Sequence, residues 1–443
     1  MKESLSLCKT LNKKGYVAYL AGGCVRDMLQ GLKPKDYDIS TSAHPDEIEK
    51  IFPHTKPVGK QFGVILVIGK TGHFEVATFR GEEEYLDGRR PKKIHFVSEK
   101  EDALRRDFTI NGLFYNPINK KIIDYVKGKN DLKKKIIRFI GSPGKRIQED
   151  HLRILRAVRF KNCLNFKYEA KTKNAIKKYA HLIKTVSSER IKDELDKIMQ
   201  SKYRAKGIED LSQLGILKYI LPEVEEMKKC EQPPAYHAEG NVFTHTVLSL
   251  KKLPEKAKKE IAWAVFFHDL GKPEKRKEIL HPVKGMRTVF YGHIEKSAEM
   301  SEKICKRLKF SKKEREEVVF LVNEHLKHKD IPKMKICRQR QWAMHPLFPE
   351  LLQVWKADGQ ASWLGKKDNI DLSLYNTAKK LYKDELKRPK PPKPLLDGFE
   401  VMKILNISSG PKVGEILKKL MDAQLEEKVK DKEKAKKFIK QLK

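Results

Sequence analysis

Residues 35–41 read Lys35-Asp36-Tyr37-Asp38-Ile39-Ser40-Thr41, and this stretch decides how the rest of the sequence is interpreted. The run has the residue types of a strand, and successive side chains of a strand point to opposite faces. Asp36 and Asp38 are therefore expected on one face, where two carboxylates repel each other unless a cation lies between them. Oxygen ligands on neighbouring positions suit Mg²⁺, which usually shares its coordination shell with substrate phosphates. The pair predicts a magnesium site, and a solvated strand end is the alternative when the pair is considered alone.

The segment before these aspartates predicts a strand, a turn and a helix. Residues 16–20 are mostly aromatic, β-branched or aliphatic, and Ala21-Gly22-Gly23-Cys24-Val25-Arg26-Asp27 follows. The two glycines allow the backbone to approach an anion closely, and Arg26 adds a positive charge where phosphates would lie. A tight turn is the alternative for the glycine pair alone. Because the paired aspartates follow ten residues after Arg26, the segment predicts a phosphate-binding turn beside a metal site.

The composition points to a nucleic-acid partner. At 443 residues the chain is expected to form several domains. It carries 95 Lys and Arg residues against 59 Asp and Glu residues, and the resulting net charge of +36 attracts polyanions. We find no apolar run long enough to span a bilayer, no signal peptide and no amphipathic segment suited to a membrane surface. The six cysteines are scattered without pairing or metal spacing. These features predict a cytoplasmic protein without membrane association.

Two later segments add candidate nucleotide contacts. Residues 80–101 are polar and turn-rich, and they predict a mobile loop, centred on residues 87–91, that reaches over a bound nucleotide or RNA end. Residues 101–111 predict a helix that directs Arg106, Asp107 and Asn111 toward the site, with surface ion pairing as the alternative. Glu75 could supply a third carboxylate from a neighbouring strand, but a surface position is the simpler assignment and we leave it out of the predicted metal site.

Residues 149–160 predict a helix that reads a nucleotide base. Asp150 and Arg153 are three residues apart and so share one face, which Arg156 continues. A carboxylate accepts from the amino group of cytosine or adenine, and a guanidinium donates to the neighbouring ring acceptor. Uracil and guanine present an oxygen instead of that amino group, which rejects them by ~1–3 kcal/mol. The pair predicts selection of C and A, and an ion pair on a solvated helix is the alternative.

Five segments occur together in an order and spacing typical of one family. They are Ala21-Gly22-Gly23-Cys24-Val25-Arg26-Asp27, Asp36-Tyr37-Asp38, Glu75-Val76-Ala77-Thr78-Phe79-Arg80, Arg105-Arg106-Asp107-Phe108-Thr109-Ile110-Asn111 and Glu149-Asp150-x-x-Arg153. Together they resemble the bacterial class II tRNA nucleotidyltransferases, which comprise the CCA-adding enzymes and their A-adding and poly(A) polymerase relatives.

This resemblance covers about the first third of the chain, and it implies a polymerase-β-like catalytic head that uses no nucleic-acid template. Asp36 and Asp38 would be the catalytic residues that hold two Mg²⁺ ions, one for the attacking oxygen and one for the leaving phosphates. The residues that would bind the nucleotide are Gly22, Gly23, Arg26, Arg106, Asp107, Asn111, Asp150, Arg153, Arg156 and Arg159. The chain departs from the family where Tyr125 replaces the usual Pro and Lys127 replaces a second Gly. The sequence therefore leaves undecided whether this segment acts as a hinge that switches the site between C and A.

A second set of candidate ligands lies in the middle of the chain, after a helical stretch that would be the family's neck. The set comprises His237, His245, His268, Asp269, His293, His325 and Asp358. Imidazole and carboxylate ligands suit a transition metal or Mg²⁺ that activates water for phosphoester hydrolysis. Collectively these residues resemble an HD-type phosphohydrolase domain, whose minimal motif best matches His245, His268, Asp269 and Asp358. A divalent metal is predicted there, and both an active hydrolase and a scaffold along tRNA fit the pattern.

The fold class predicted for the chain is α+β, with a polymerase-β-like head built on a small mixed sheet and an all-helical neck, body and tail. The predicted domains are residues 1–140 for the head, 141–225 for the neck with the nucleotide-reading helix, 226–385 for the HD-type body and 386–443 for a basic tail that binds tRNA. A stiff Pro-rich linker at residues 388–394 would introduce the tail.

The predicted reaction is attack of a tRNA 3′-hydroxyl on the α-phosphorus of CTP or ATP, with pyrophosphate as the leaving group. The partners are therefore the tRNA acceptor end, CTP and ATP, and the predicted product is a full CCA end. Addition of A only is the nearest alternative, because the loop at residues 87–91 disfavours a CC-only enzyme; poly(A) polymerase is disfavoured because residues 60–64 lack paired basic residues. A metal-dependent HD phosphohydrolase with an RNA-binding head is the alternative from another class. The oligomeric state is left open.

Overall fold

A mixed β-sheet of seven strands organises the first part of the chain in the computed structural model. The structure describes residues 1–85, 91–282, 285–364, 369–388 and 393–442, with the backbone alone for 82–85 and 91–94. In chain order the strands are β1 Ala18–Ala21, β2 Asp38–Thr41, β3 Thr55–Lys56, β4 Val64–Ile68, β5 His73–Thr78, β6 Arg80–Tyr85, β7 Pro91–Phe96, β8 Leu113–Tyr115, β9 Ile122–Asp124, β10 Ile136–Ile137, β11 Lys167–Tyr168, β12 Lys277–His281 and β13 Gly285–Val289. The sheet has the order β3-β4-β5-β2-β1-β8-β9.

One pairing in this sheet is parallel, and it positions the candidate site. Strands β2 and β5 run parallel with Ile39 opposite Val76, whereas the other pairs are antiparallel. Asp38 and Glu75, which precede those two residues, therefore enter the sheet side by side. The small mixed sheet predicted for the head is confirmed.

The central strand β1 is buried on both faces, which explains its uninterrupted run of apolar residues. Leu20 belongs to the larger core, where it is joined by Val25, Ile39 and Val76. Tyr19 belongs to a smaller cluster on the opposite side. The sheet therefore has a packed core on each face. These cores hold the beginning of the β2–β5 pair in place, where Asp38 and Glu75 lie; we call this place the carboxylate edge.

The chain forms two compact units, Met1–Pro222 and Glu223–Lys443. Helices of the first unit are α1 Lys2–Lys13, α2 Gly23–Leu29, α3 Pro45–Ile51, α4 Glu99–Arg105, α5 Gly128–Lys134, α6 Pro143–Glu149, α7 Arg153–Cys163, α8 Ala170–Tyr179, α9 Ser188–Met199, α10 Arg204–Gln213 and α11 Leu217–Ile220. The four-domain division stays a prediction.

The second unit is mostly helical. Helix α12 Pro222–Glu226 leads into it, and the helices that follow are α13 Val242–Lys252, α14 Lys259–Phe267, α15 Lys272–Lys275, α16 His293–Arg307, α17 Lys312–Asn323, α18 Ile336–Ala343, α19 Phe348–Ala361, α20 Ser373–Leu386, α21 Gly398–Leu405, α22 Pro411–Leu425 and α23 Lys432–Lys440. The predicted α+β class with a mostly helical remainder is confirmed. Two short strand pairs depart from an all-helical neck and body: β12 and β13 form an antiparallel hairpin in the body, and β11 of the predicted neck pairs with β10 of the predicted head.

Three local predictions are also wrong. The loop expected over residues 80–101 contains an antiparallel hairpin of β6 and β7, followed by the start of α4; residues 86–90 lie outside the described part of the chain. The helix expected over 101–111 ends at Arg105, and a short 3₁₀ turn, Thr109–Asn111, follows. The helix expected over 149–160 is interrupted, because α6 ends at Glu149 and α7 begins at Arg153.

Within the described residues, none of the helices combines the length and the apolar character needed to cross a bilayer.

In the tail, α21, α22 and α23 share an apolar cluster that includes Val401, Leu420 and Ile439. Residues 389–392 of the predicted linker lie outside the described ranges.

We predict that Leu20→Ala destabilises the first unit by about 2–5 kcal/mol, because it leaves a cavity under the central strand. Leu20 is completely buried, whereas Leu32, the matched control, is 56% exposed. Hydrogen exchange of the β1 and β2 backbone amides measures the effect. Equal amide protection in Leu20→Ala and Leu32→Ala would contradict this assignment of the core.

Candidate active sites

A cavity of about 760 Å³ in the first unit brings most of the predicted site residues together. The predicted residues that line it are Gly22, Gly23, Arg26, Asp38, Arg106, Asp107, Asn111, Asp150, Arg153, Arg156 and Arg159. Asp36 is the one predicted residue that does not line the cavity. Glu75 and Arg190 line it as well, although sequence reasoning did not assign either of them to the site.

The carboxylate edge of the cavity differs from the predicted one. Strand β2 begins at Asp38, so Asp36 lies before the strand and strand alternation does not align the two side chains. Glu75, on the parallel neighbour β5, is the strand residue beside Asp38. Sequence reasoning treated Glu75 as a surface residue because strand pairing, and not spacing along the chain, brings it to the edge.

Electrostatics at this edge indicate a missing positive charge. Reduced solvation, repulsion from Glu75 and a smaller repulsion from Asp36 raise the pKa of the Asp38 carboxyl to about 6, although Arg106 opposes the shift. A cation among these carboxylates would relieve the repulsion, and their oxygen-only donor set suits Mg²⁺. Asp38, Glu75 and Asp36 are therefore oxygen donors of the type that suits Mg²⁺, although among the described residues their oxygens do not all lie within 4.8 Å of one another.

Two arginines are held in place beside the glycine turn. Arg26 Nη1 donates to Asn111 Oδ1 at 2.7 Å, and Arg106 Nη2 donates to Ser40 Oγ at 3.0 Å. Gly22 has a φ of 72°, and a Cβ there would lie 3.1 Å from Arg106 Nη1. A side chain at position 22 would therefore be strained and would crowd the arginine. The turn can present backbone and two oriented guanidinium groups to an anion.

A buried ion pair anchors the next part of the cavity wall. Arg156 Nη2 lies 2.6 Å from Asp107 Oδ2, and Asn111 Nδ2 donates to Asp107 Oδ1 at 3.1 Å. Burial alone would raise the pKa of Asp107, but Arg156 and Asn111 outweigh it and lower that pKa to about 2. Asp107 is therefore ionised at neutral pH and orients Arg156; direct contact with substrate is not needed for this role.

The predicted base-reading pair has a different arrangement from the expected one. The Asp150 carboxylate lies between α6 and α7 and accepts from Arg190 Nη2 at 3.1 and 3.0 Å. Arg153 is 7% exposed and donates to Glu149 and to the carbonyls of Arg146 and Arg105. Both side chains line the cavity, but they do not pair with each other. Arg190 lies near the start of α9, and nothing in the local sequence linked it to Asp150.

A second constellation is buried in the second unit. His245, His268, Asp269 and His325 are each at most 1% exposed. His245 Nε2 lies 2.9 Å from Asp358 Oδ1 and 3.3 Å from His268 Nε2, and His268 Nε2 lies 3.2 Å from Asp269 Oδ2. The four residues predicted as the HD-type site therefore lie together. His293 and His325 place Nε2 3.7 and 3.9 Å from Asp269 Oδ1, so they extend the same cluster.

The donor set of this cluster fits a divalent metal ion. Burial lowers the pKa of His325 to about 3, so its imidazole is neutral and can offer a lone pair. His268 and Lys272 hold Asp269 ionised, and its pKa lies well below the usual range despite burial. Hydrogen bonds with Asp358 and Glu239 outweigh burial and raise the pKa of His245 to about 9, so a metal ion there would displace a proton from this imidazole. Imidazoles and carboxylates in one buried place are ligands that transition metals prefer.

We predict that Asp38→Asn raises the thermal unfolding temperature of the first unit at pH 7.5 in the presence of EDTA. The pKa of the Asp38 carboxyl rises from 3.8 to about 6 on folding, so its ionised form destabilises the folded state. The gain is expected in full above pH 6, declines as the pH falls from about 6 to 3.8, and is lost below that range. Scanning calorimetry across this pH range measures it.

Asp46→Asn is the matched control, because Asp46 is exposed and its pKa is lowered by a hydrogen bond from Lys60. This substitution should give no gain in unfolding temperature at pH 7.5. An Asp38→Asn variant that also shows no gain would mean that the carboxylate edge is not under electrostatic repulsion.

Family models match three consecutive parts of the chain. The Poly A polymerase head domain matches residues 18–138, the probable RNA and SrmB-binding site of polymerase A matches 165–228, and the HD domain matches 241–361. Together the three matches cover more than half of the chain. They correspond to the sheet with its cavity, the neck helices and the buried histidine–aspartate cluster.

Curated relatives and solved structures agree with these matches. The CCA-adding enzyme of Bacillus pumilus is 44% identical over 209 residues, which is 47% of this chain and 52% of that protein. The CCA-adding enzyme of Streptococcus gordonii is 37% identical over 257 residues, 56% of this chain and 64% of that protein. The chain thus spans about half to two-thirds of the length of the curated relatives it matches.

The structure of the Bacillus stearothermophilus CCA-adding enzyme in complex with CTP aligns with a TM-score of 0.72 and 25% identity, over 99% of this chain and 96% of that one. The Thermotoga maritima CCA-adding enzyme complexed with tRNA aligns with a TM-score of 0.58 and 19% identity, over 100% of this chain and 95% of that one, which shows the fold alone. The chain belongs to the class II tRNA nucleotidyltransferases that carry an HD domain.

Proposed function

We propose that this chain adds C and A nucleotides from CTP and ATP to the 3′ end of tRNA without a nucleic-acid template and releases pyrophosphate. The observation that supports this most is one cavity that combines a carboxylate edge, a glycine turn with fixed arginines and a carboxylate between α6 and α7. Nucleotidyl transfer needs these three elements for metal ions, for the triphosphate and for the base. The similarity to CCA-adding enzymes supports the same function.

In this proposal the carboxylate edge holds two Mg²⁺ ions through Asp36, Asp38 and Glu75. The bound ions would supply a nucleophilic 3′-oxygen and neutralise charge on the departing pyrophosphate. Parallel pairing of β2 and β5 holds Asp38 and Glu75 side by side. The chain's own contribution is therefore a rigid pair of strand carboxylates, with Asp36 approaching from the segment before the strand.

The triphosphate would bind between the glycine turn and the two oriented arginines. Arg26 and Arg106 are preorganised by Asn111, Ser40 and Asp102, so little side-chain entropy is lost when phosphate oxygens arrive. The absence of a side chain at Gly22 keeps the backbone accessible beside them. The same contacts would serve CTP and ATP, because both present identical phosphates.

Base selection would rest mainly on Asp150. Its carboxylate can accept from the amino group of cytosine or adenine, while Arg190 Nη2 holds it in place. Arg153 would donate to the ring acceptor after exchanging one of its present protein partners, and Arg156 and Arg159 would complete the wall.

A cytoplasmic location fits the six free cysteines of the chain.

We predict that the purified protein extends tRNAs lacking the terminal A, CA or CCA with labelled CTP and ATP, and that Asp38→Ala reduces incorporation by on the order of 100-fold or more. Asp46→Ala, which changes a surface carboxylate of the same unit, should retain wild-type activity. The substrates that are extended distinguish CCA addition from A-only or CC-only addition. No incorporation with any tRNA, or full activity of Asp38→Ala, would refute the transferase proposal.

We predict that Asp150→Ala relaxes nucleotide selection by ~1–3 kcal/mol, which is roughly 5- to 150-fold in the ratio of kcat/KM for CTP over UTP. The physical reason is that the variant no longer pairs with the amino group and no longer repels the oxygen of uracil. Parallel measurements with Asp46→Ala control for general loss of activity. If Asp150→Ala lowers activity but still excludes UTP and GTP as well as the wild type, Asp150 does not read the base.

A second candidate function is metal-dependent hydrolysis of phosphoesters by the HD domain. The observation that favours it is a cavity of about 780 Å³ in the second unit that reaches Asp269, His293, His325 and Asp358. Lys272 and Arg287 line the same cavity and could bind phosphate oxygens. A metal held by the histidines and aspartates would activate a water molecule for this reaction.

We predict that the protein hydrolyses bis-p-nitrophenyl phosphate or p-nitrophenyl phosphate in the presence of Mn²⁺, and that Asp269→Asn reduces this rate by on the order of 100-fold or more. The same variant should keep CTP and ATP incorporation, because Asp269 belongs to the second unit. Hydrolysis that survives in Asp269→Asn would place the reaction elsewhere. Hydrolysis without any nucleotide incorporation by the wild type would favour a phosphohydrolase with an RNA-binding head.

A further inference from the structure

Four histidines of the buried cluster, His245, His268, His293 and His325, all direct Nε2 toward its centre. The group that contacts Nδ1, and so holds each ring in place, differs among them. Nδ1 of His268, His293 and His325 lies 2.7 Å from the backbone carbonyl oxygen three residues earlier, at Val265, Phe290 and Val322 respectively. These three histidines lie at helix ends, where carbonyls or turns provide acceptors that a helix interior does not. The backbone therefore orients three of the four imidazoles.

His245 cannot be oriented by the same device. It is the fourth residue of α13, where the backbone carbonyls are committed to helix hydrogen bonds. Its Nδ1 instead lies 2.8 Å from Glu239 Oε1, and its Nε2 faces Asp358 at 2.9 Å. His245 thus depends on a side-chain carboxylate for the contact that its three neighbours obtain from the backbone.

Glu239 is built into the second unit as a fixed acceptor. Its side chain is fully buried, and Oε2 accepts from the backbone N–H of Trp363 at 3.0 Å. Oε1 also lies 2.8 Å from Nδ1 of His237. Three protein groups therefore hold one carboxylate in place behind His245, and none of these contacts uses the Nε2 that faces Asp358.

We propose that Glu239 is a positioning residue for the metal site of the HD domain, which fixes the Nδ1–H tautomer of His245 and so leaves Nε2 as the metal ligand. This inference rests on the proposed metal site of the second unit. A carboxylate behind a metal-bound imidazole sets both the ring orientation and the nitrogen that carries the proton. The cluster would lose a correctly aimed ligand without it, although Glu239 itself does not touch the metal.

Glu239→Gln tests this role with little change in volume. The Trp363 N–H and His245 Nδ1 contact different oxygens of Glu239, and a glutamine in the same position has an acceptor oxygen at only one of these two places. If the amide oxygen faces His245, the Trp363 N–H faces the amide N–H₂. If the amide oxygen faces Trp363, the amide N–H₂ faces His245 Nδ1 and favours the tautomer that carries its proton on Nε2. Glu350→Gln is the matched control, because Glu350 is 8% exposed in the same unit and accepts from Lys258 away from the cluster.

Equilibrium dialysis with Mn²⁺ on the full chain, prepared first with a chelator, measures the metal Kd. We expect Glu239→Gln to raise this Kd by about 10- to 100-fold, the range found when such outer carboxylates are removed, and Glu350→Gln to leave it unchanged. The thermal unfolding temperature of the metal-free variant separates lost positioning from lost folding. A folded Glu239→Gln protein with the wild-type Kd would overturn the inference while leaving the metal site intact.

A measurement on the wild type alone keeps the inference testable if Glu239→Gln does not fold. With Cd²⁺ bound, ¹⁵N NMR of the imidazoles should show His245 protonated at Nδ1 and coupled to the metal through Nε2. Coupling through Nδ1, or a second bound ion shared by His237, Glu239 and His245, would overturn it. No coupling of Cd²⁺ to any imidazole of the second unit would overturn the metal site and the inference together, and this result does not bear on the carboxylate edge or on tRNA extension.

Discussion

Repulsion between two neighbouring strand carboxylates is the constraint around which the first unit is arranged. The parallel pairing of β2 with β5 places Asp38 beside Glu75, and the backbone hydrogen bonds of the sheet prevent the two from separating. Packed cores on both faces of β1 keep this edge rigid. Burial and this repulsion together raise the pKa of Asp38. Such an arrangement favours a cation beside the carboxylates, and in the proposed function the rigid sheet would contribute to metal affinity in this way.

The arginines around this edge are held by carboxylates that lie behind them. Asp102 accepts from both Arg105 and Arg106, and Glu149 accepts from Arg153. Buried ion pairs of this kind contribute little net stability, because desolvation offsets most of the attraction. Their effect here is orientation, because each acid fixes the guanidinium that it contacts. In the proposed function Arg106 would meet the triphosphate already oriented, whereas Arg153 would first exchange one of its present protein partners.

Sequence reasoning predicted the parts of the site that depend on local spacing. Residue type and order along the chain predicted the glycine turn, Arg26 and the Arg106-Asp107 pair, and the structure brings these together in the first unit. They also predicted the histidine–aspartate cluster, which the structure brings together in the second unit. Errors arose where tertiary structure decides. Strand alternation from Asp36 to Asp38 failed because the strand starts at Asp38, and helical spacing failed at Asp150 because the chain breaks between α6 and α7.

The missed residues have a common physical cause. Glu75 reaches the edge through strand pairing, Arg190 reaches Asp150 from a helix forty residues away, and Glu239 acts on His245 from the preceding loop. Each is an ordinary charged residue in its local sequence, and its partner is defined only by the fold. Motif spacing therefore identifies residues whose neighbours are close along the chain, whereas Glu75, Arg190 and Glu239 meet their partners only through the tertiary structure.

The two sites place different demands on those orienting groups. At the sheet edge the donors are carboxylates, whose oxygens accept from many directions, so affinity depends mainly on how much negative charge the fold concentrates. In the histidine cluster each neutral imidazole offers a single lone pair. A ring that carries its proton on Nε2 offers no lone pair toward the centre of the cluster. Charge density can be built by strand pairing alone. Lone-pair direction needs a separate acceptor behind every imidazole, and His245, inside a helix, obtains that acceptor from Glu239.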